Sequence, residues 1–507
     1  MEKFYITTTL PYVNSDPHLG FALELVQADI IARYQKSLGK EVFFNTGTDE
    51  HGVKVFRKAQ EEGKEISAYV NEYAKKFKQL MPALGISDDI HFIRTTDAHH
   101  ILAAQEFWRR CYDKGDIYKK IYKVKYCVGC ELEKTESDLN EQGQCLIHPH
   151  LKIETIDEEN YFFRFSHYEK SLLEFYEKHP DFVVPDFRFN EIKQFVKSGL
   201  QDFSISRLKS KMPWGVPVPD DEKHVMYVWF DALINYVSTL GWPESEESEV
   251  GSRKSDRSDA PPPAGGRFSD FWGTNEHPNA IQIAGKDNLR QQSAMWQAML
   301  MSAGLPNSKQ IIIHGFINGG GQKMSKSLGN VADPYQILDK LQSKGLTKDQ
   351  AADALRYYLA REISTFEDGD YTWEKFVESY NAGLANGIGN LTSRILKMAV
   401  NGGIRNYELG IMNAGSPLLD KYDLQKAADE IWKKIQACDE FIQKNEPFKT
   451  IKTDKEKAVK DIQYLLAELH QIAINLLPFL PQTSEKILAV LKDPKSENIP
   501  RLFPRIE

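Results

Sequence analysis

Four residues stand at the spacing of metal ligands. Cys127-x2-Cys130 and Cys145-x2-His148 form two chelating pairs, each on a tight turn, with a short loop between them. Three thiolates and one imidazole complete a tetrahedral zinc shell with no open position, so the ion they imply is structural rather than hydrolytic. Three of the five cysteines fall between 127 and 145. That clustering suits a metal in a reducing compartment better than a disulfide framework. Cys111 and Cys438 have no such neighbours and read as core or surface thiols.

A second group of residues could handle phosphate. His18-Leu19-Gly20 opens a helix directly after a β-prone run, Phe4 to Thr9, and the loop Leu10-Pro11-Tyr12. A helix start offers free N–H groups and a positive dipole end, Gly20 lets a ligand approach the backbone, and His18 adds a donor. The same residues also suit a plain capped helix, with Asp16 as cap and Pro17 in the first turn. Asp49, in TGTDEHG at the end of a second strand, faces the same crevice; its carboxylate could hold an ammonium group or cap the next helix. Three glycines before Lys323-Met324-Ser325-Lys326-Ser327 describe a hinged basic loop able to close on phosphates, or simply a flexible one.

The elements that must position these residues alternate strand and helix. A helix ends near Gly39, a strand covers 41–45, helices follow at 53–62 and 67–84, then a strand at 90–95 and a helix at 99–114. From Asp116 short strands and turns carry the cysteine pairs, and a helix is expected at 167–178. The α/β pattern resumes at MYVWFDALINYVSTLG, where Trp229, Ala232, Leu233 and Tyr236 recur at helical spacing, as a core stripe does. IQIAGKD and IIIHGFI are two further strands, and beyond Asn330 the chain is nearly all helical. The fold class is therefore α/β: a doubly wound parallel, Rossmann-like sheet with a zinc-binding insertion, followed by an all-α helical bundle. The expected division is 1–113 with 225–331 for the sheet domain, 114–224 for the connective insertion, 332–377 for a linker and 378–507 for the bundle. Residues 243–267 are low-complexity and expected to be a disordered insertion.

Composition narrows the class further. With 507 residues and 41% hydrophobic content, the chain can bury several cores. Its formal charge of −8 advertises no polyanion, so any nucleic acid must be met by local basic surface. No leader and no membrane-spanning apolar run is evident, which implies a cytoplasmic protein with no membrane partner.

Together the motifs resemble a known family. His18-Leu19-Gly20-Phe21 looks like the HIGH signature, and Lys323-Met324-Ser325-Lys326-Ser327 matches the KMSKS signature, of class I aminoacyl-tRNA synthetases. With LPYVN, GTDEHG, the Cys3His knuckle, DFSISR, WGVP and VWFDALINY, the whole chain is similar to the methionyl-tRNA synthetases. The isoleucyl, valyl and leucyl enzymes would carry a far longer editing insertion.

The resemblance implies methionine and ATP giving methionyl adenylate and pyrophosphate, then transfer to the 3'-terminal adenosine of methionine tRNA, initiator and elongator. Magnesium would accompany ATP and one zinc ion would be structural; with no additional basic or OB-like tRNA-binding module evident after the bundle, a monomer is expected. It assigns catalysis to His18, Gly20, Lys323 and Lys326. ATP would meet His18, Gly20, Gly285, Asp287 and Lys326. The methionine pocket would be Leu10, Tyr12, Asp49, Trp229, Ala232, Leu233 and Tyr236, with Asn288 and Gln292 where the family commonly has isoleucine and histidine. Phe21 replaces the last histidine of HIGH, removing one phosphate contact. Anticodon reading would fall to Asn390, Arg394 and Phe448, the last where tryptophan is common; packing within the bundle is the other reading of Phe448. Two competing readings are a nucleotidyltransferase on the same fold and a catalytically silent tRNA-binding paralogue.

Overall fold

The computed structural model describes residues 1–130, 132–134, 138–244, 267–324, 330–404, 416–492 and 499–507. Lys326 and almost all of the low-complexity segment fall outside the described residues.

The apolar runs pair into one six-stranded parallel sheet. Its order from edge to edge is His91–Arg94, Glu41–Thr48, Lys3–Thr7, Ala280–Gly285, Gln310–His314 and Val183–Val184. The chain winds outward on one side from Lys3–Thr7 and on the other from Ala280–Gly285. These two strands therefore form the switch point, whose carboxyl ends open a crevice. The two-residue strand Val183–Val184 comes from inside the segment 114–224, expected as the connective insertion, and is too short to carry a period that the sequence could show.

Each face of the sheet serves a different core. One face, with the helix Leu19–Ser37, packs into a cluster continuous with the C-terminal helices through Leu355, Tyr358, Leu391 and Leu465. The other carries Tyr5, Phe43, Trp272 and Trp296 and is continuous with the insertion. The helix Leu19–Ser37 is consequently buried on nearly all sides, as a helix clasped between a sheet and a bundle must be.

The insertion is a four-stranded antiparallel sheet of Leu132–Lys134, Ile117–Cys127, Glu154–Phe163 and Phe203–Ser204. The expected helix at 167–178 is Glu169–Lys178, preceded by a 3-10 turn, and a second helix, Asp186–Lys197, is one that the sequence pattern does not reveal. The bundle is built on Asn390–Gly402, Leu424–Asn445, Lys455–Leu476 and Pro481–Lys492. None of the described helices is long and apolar enough to cross a membrane.

Candidate active site

The first corner of the crevice is the start of the helix Leu19–Ser37. His18, rather than Asp16, is its cap: the backbone at His18 is extended and its Nδ1 accepts from the Phe21 N–H at 3.4 Å. Asp16 turns away to pair with Lys76 at 2.7 Å. With Nδ1 accepting, the neutral imidazole carries its proton on Nε2. Gly20 keeps this corner open, since a Cβ would lie 3.0 Å from both Cε1 and Nδ1 of His18 and would press on the imidazole. Phe21 is 6% exposed and meets Phe77 edge to face at 5.3 Å. The fourth signature position therefore points into the core, and its aromatic ring contributes packing rather than leaving a gap beside phosphate.

The loops after the first two strands are bridged to each other. The Asp49 N–H donates to Pro11 O at 2.9 Å, the Val13 N–H donates to Asp49 O at 3.2 Å, and Tyr12 and Asp49 form a parallel bridge. Asp49 is thus fixed beside Tyr12 and is 3% exposed. The neighbouring Glu50 is gripped by Arg94 through a two-pronged ion pair at 2.6 and 2.8 Å, which holds the loop from beneath.

Opposite, the motif VWFDALINY forms two short helices, Val228–Leu233 and Asn235–Ser238. Leu233 and Tyr236 are buried, while Trp229 and Ala232 keep partial exposure. The Trp229 Nε1 is enclosed with no acceptor among the described residues. Gln292 donates from Nε2 to the Tyr236 hydroxyl at 2.7 Å and accepts from Gln282 at 3.2 Å. Burial pushes the Tyr236 hydroxyl far above its usual range, so it stays protonated. Asn288 leans on Asp287, at 3.3 Å. Asp287 in turn approaches Gly285: its Oδ1 is 2.9 Å from where a Gly285 Cβ would stand.

Under the crevice, Glu24 spans the strand ends. One carboxylate oxygen accepts from the N–H and hydroxyl of Thr9, both at 2.6 Å, and the other from His314 Nε2 at 3.0 Å. His314 Nδ1 donates to Gly315 O at 2.7 Å. Burial would lower its pKa, but Glu24 more than compensates and raises it above the ordinary histidine value. The chain continues from His314 through Ile317–Gly319 to Gln322–Lys323, a hairpin leading to the basic loop. The backbone of Lys323 is placed there, whereas Lys326 lies outside the described residues.

The cysteine pairs do converge. The ligand atoms of Cys127, Cys130, Cys145 and His148 lie within 4.8 Å of one another. Cys130 Sγ is 3.5 Å from Cys145 Sγ and 3.2 Å from His148 Nδ1, and Cys127 Sγ is 3.9 Å from that nitrogen. Metal bonds of about 2.0–2.3 Å in a tetrahedron give edges of roughly 3.5–3.8 Å, so the donor set fits a zinc-sized ion. Gly129 is the enabling residue: a Cβ there would lie 2.5 Å from the His148 ring.

In the bundle, Asn390 and Arg394 share the helix Asn390–Gly402, one turn apart. Asn390 is exposed, and Arg394 is ion-paired with Asp439. Phe448 is 46% exposed, so it is not committed to bundle packing.

Sequence reasoning misses the groups that support these residues, namely Glu24, His314, His51, His100 and Asp231. The signal is present as polar residues inside otherwise apolar stretches, but a buried polar residue declares its partner only in three dimensions.

Similar proteins show the same organisation. The family described as tRNA synthetases class I (M) matches residues 4–155 and 129–396, and the anticodon binding domain of methionyl tRNA ligase matches 407–502. A methionine–tRNA ligase of Thermotoga maritima is 40% identical over 509 residues, covering 96% of this chain and 74% of that protein. One from Nostoc is 39% identical over 505 residues, covering 96% and 89%. The solved Mycobacterium tuberculosis methionyl-tRNA synthetase in complex with methionyl-adenylate aligns with a TM-score of 0.85 at 33% identity, covering 97% of this chain and 94% of that one.

Proposed function

The chain belongs to the methionine–tRNA ligases of class I, and from that membership we propose that methionine and ATP react in the crevice at the switch point of the parallel sheet. The enzyme activates L-methionine with ATP to methionyl adenylate plus pyrophosphate, then transfers methionine to the 3'-terminal adenosine of its tRNA. In the first step the methionine carboxylate attacks the α-phosphorus and pyrophosphate leaves. In the second, a terminal ribose hydroxyl attacks the adenylate carbonyl and AMP leaves. What supports the assignment is that the His18–Gly20 helix start, the Tyr12–Asp49 bridge and the Gly285–Asp287 turn follow the carboxyl ends of three adjacent parallel strands, Lys3–Thr7, Glu41–Thr48 and Ala280–Gly285.

Each residue has a role that its chemistry allows. His18 and the backbone at Gly20 stabilise charge on the phosphates, joined by Lys323 and Lys326, while Gly285 and Asp287 receive the adenosine. Asp49 binds the α-ammonium. Leu10, Tyr12, Trp229, Ala232, Leu233 and Tyr236 surround the thioether, a polarizable group that favours aromatic edges. Gln292 acts through the Tyr236 hydroxyl that it holds, and Asn288 closes the pocket near Asp287. Magnesium, held by the phosphates, would neutralise their charge. Zinc would lock the knuckle of Cys127, Cys130, Cys145 and His148. The ligase acts as a cytoplasmic monomer on initiator and elongator tRNAs. The sheet domain spans 1–113 and 225–331 and takes its edge strand Val183–Val184 from the 114–224 insertion, the linker spans 332–377 and the bundle 378–507.

Pyrophosphate exchange into ATP across a panel of amino acids tests the assignment: exchange should require methionine, and exchange supported by another amino acid would reassign the pocket. About one zinc per chain is expected, and chelation should loosen the insertion, seen as faster amide exchange over 117–163. Unchanged exchange after full metal removal would refute a structural ion.

Anticodon recognition is assigned to Asn390, Arg394 and Phe448, which would supply an amide, a guanidinium and an exposed ring for stacking. Arg394→Ala should reduce kcat/KM for tRNA by about 1–3 kcal/mol while leaving exchange unchanged. Loss of both activities would instead mean that freeing Asp439 had damaged the fold, because burial already raises that carboxyl and Arg394 is what offsets it.

A further inference from the structure

Behind the two walls of the amino-acid pocket lies a buried carboxylate that the assigned chemistry does not use. Asp231 Oδ2 is 2.6 Å from His51 Nδ1, and its Oδ1 is 2.8 Å from His100 Nε2. His100 Nδ1 is in turn 2.9 Å from the Ser238 hydroxyl. Asp231 and His100 are fully buried and His51 nearly so. Burial alone would raise the Asp231 carboxyl, yet the flanking histidines hold it down at about 2.

The three residues come from three separate elements. His51 follows Asp49 by two positions, on the loop bridged to Tyr12. Asp231 sits on the helix Val228–Leu233 between Trp229 and Ala232, and Ser238 is on the short helix that carries Tyr236. His100 belongs to Ala98–Asp113, which backs both. Trp214 ties the same loop from outside, donating to Glu50 O at 2.7 Å. Enclosing a carboxylate costs several kcal/mol before its partners offset it, and apolar residues of similar volume would pack at least as stably. What apolar packing cannot supply is a directional link between the Asp49 loop and the Trp229 helix.

We propose that Asp231, with His51 and His100, is a positioning cluster that sets the distance between the Asp49 carboxylate and the aromatic wall, and so governs methionine affinity. None of the three touches substrate; they act through Asp49 and Trp229. The inference rests on the reading of those two residues as methionine contacts.

The test uses exchange kinetics on the full chain, with His51→Ala and His51→Asn, Asp49→Asn as reference, and thermal unfolding of each. Asn places an N–H near the position of Nδ1–H, whereas Ala removes it. His51→Ala should raise the methionine KM roughly tenfold or more, with the ATP KM changed less than about twofold, and His51→Asn should recover most of the loss. An unchanged methionine KM, equal rises in both KM values, or an Asn variant no better than Ala would overturn the proposal. If Asp49→Asn also leaves the methionine KM intact, the pocket assignment itself fails. If only the His51 variants are silent, the assignment stands and the positioning role is lost.

Discussion

His18→Ala is expected to slow adenylate formation by about a hundredfold or more, close to 3 kcal/mol of transition-state stabilisation, while methionine binding changes little. The side chain performs two tasks that a second substitution separates. Its Nδ1 caps the helix Leu19–Ser37 through the Phe21 N–H, and its Nε2–H is the donor proposed to meet developing phosphate charge. Asparagine is a good cap but lacks a donor at the far side of the ring. His18→Asn should therefore restore stability to near the wild-type value and leave the rate low. Full activity in the Asn variant would reduce His18 to a cap and move the phosphate role elsewhere. Gly20→Ala should fall between the two, because its Cβ would press on the imidazole at 3.0 Å. Pre-steady-state pyrophosphate release and urea unfolding of the same three proteins give both readouts.

How much of this arrangement is legible in the sequence follows from the range of each signal. The strands at the switch point are largely apolar, Phe4-Tyr5-Ile6 in one and Ala280 to Ala284 broken only by Gln282 in the other, as parallel strands buried on both faces are, and the knuckle announces itself by ligand spacing. Phe21 shows where local reading stops: its place in the signature suggests a lost phosphate contact, whereas its ring meets Phe77, 56 positions away, in the core. Val183–Val184 joins the sheet through a register with Ile311 and Ile312 that no local pattern encodes. Asp16 reads as the cap of the first helix because aspartate is a common cap. Lys76, brought close by the fold, takes that carboxylate instead. Asp231 lies within the stripe of Trp229, Ala232, Leu233 and Tyr236, and only the fold supplies its partners, His51 and His100.

Arg356→Met is expected to cost about 3–5 kcal/mol of unfolding free energy, enough to remove a large share of a domain's net stability. The guanidinium is fully buried at the junction of three parts of the chain. It meets Asp29 Oδ2 at 2.8 Å on the helix that begins at His18, and it donates to Pro478 O and Phe479 O, each at 2.8 Å, between the last two bundle helices. Removing it strands those two carbonyls, loses a longer bond to Leu84 O at 3.4 Å, and leaves the Asp29 carboxylate with Ser87 and, as its one remaining cation among the described residues, Arg33. The pH dependence gives a further check. Burial would raise the Asp29 pKa, but Arg356 and Arg33 outweigh it and hold the group below the ordinary carboxylate value. Stability from this pair is therefore present above the unfolded pKa of about 3.9 and is lost as pH falls through the lower, folded value. In Arg356→Met the folded pKa rises, so acid unfolding should begin at higher pH than in the wild type. Urea titrations at pH 7 and pH 5 test both parts: a loss below about 1 kcal/mol at pH 7, or an unshifted acid limb, would mean that the junction is held by its apolar packing and not by this ion pair.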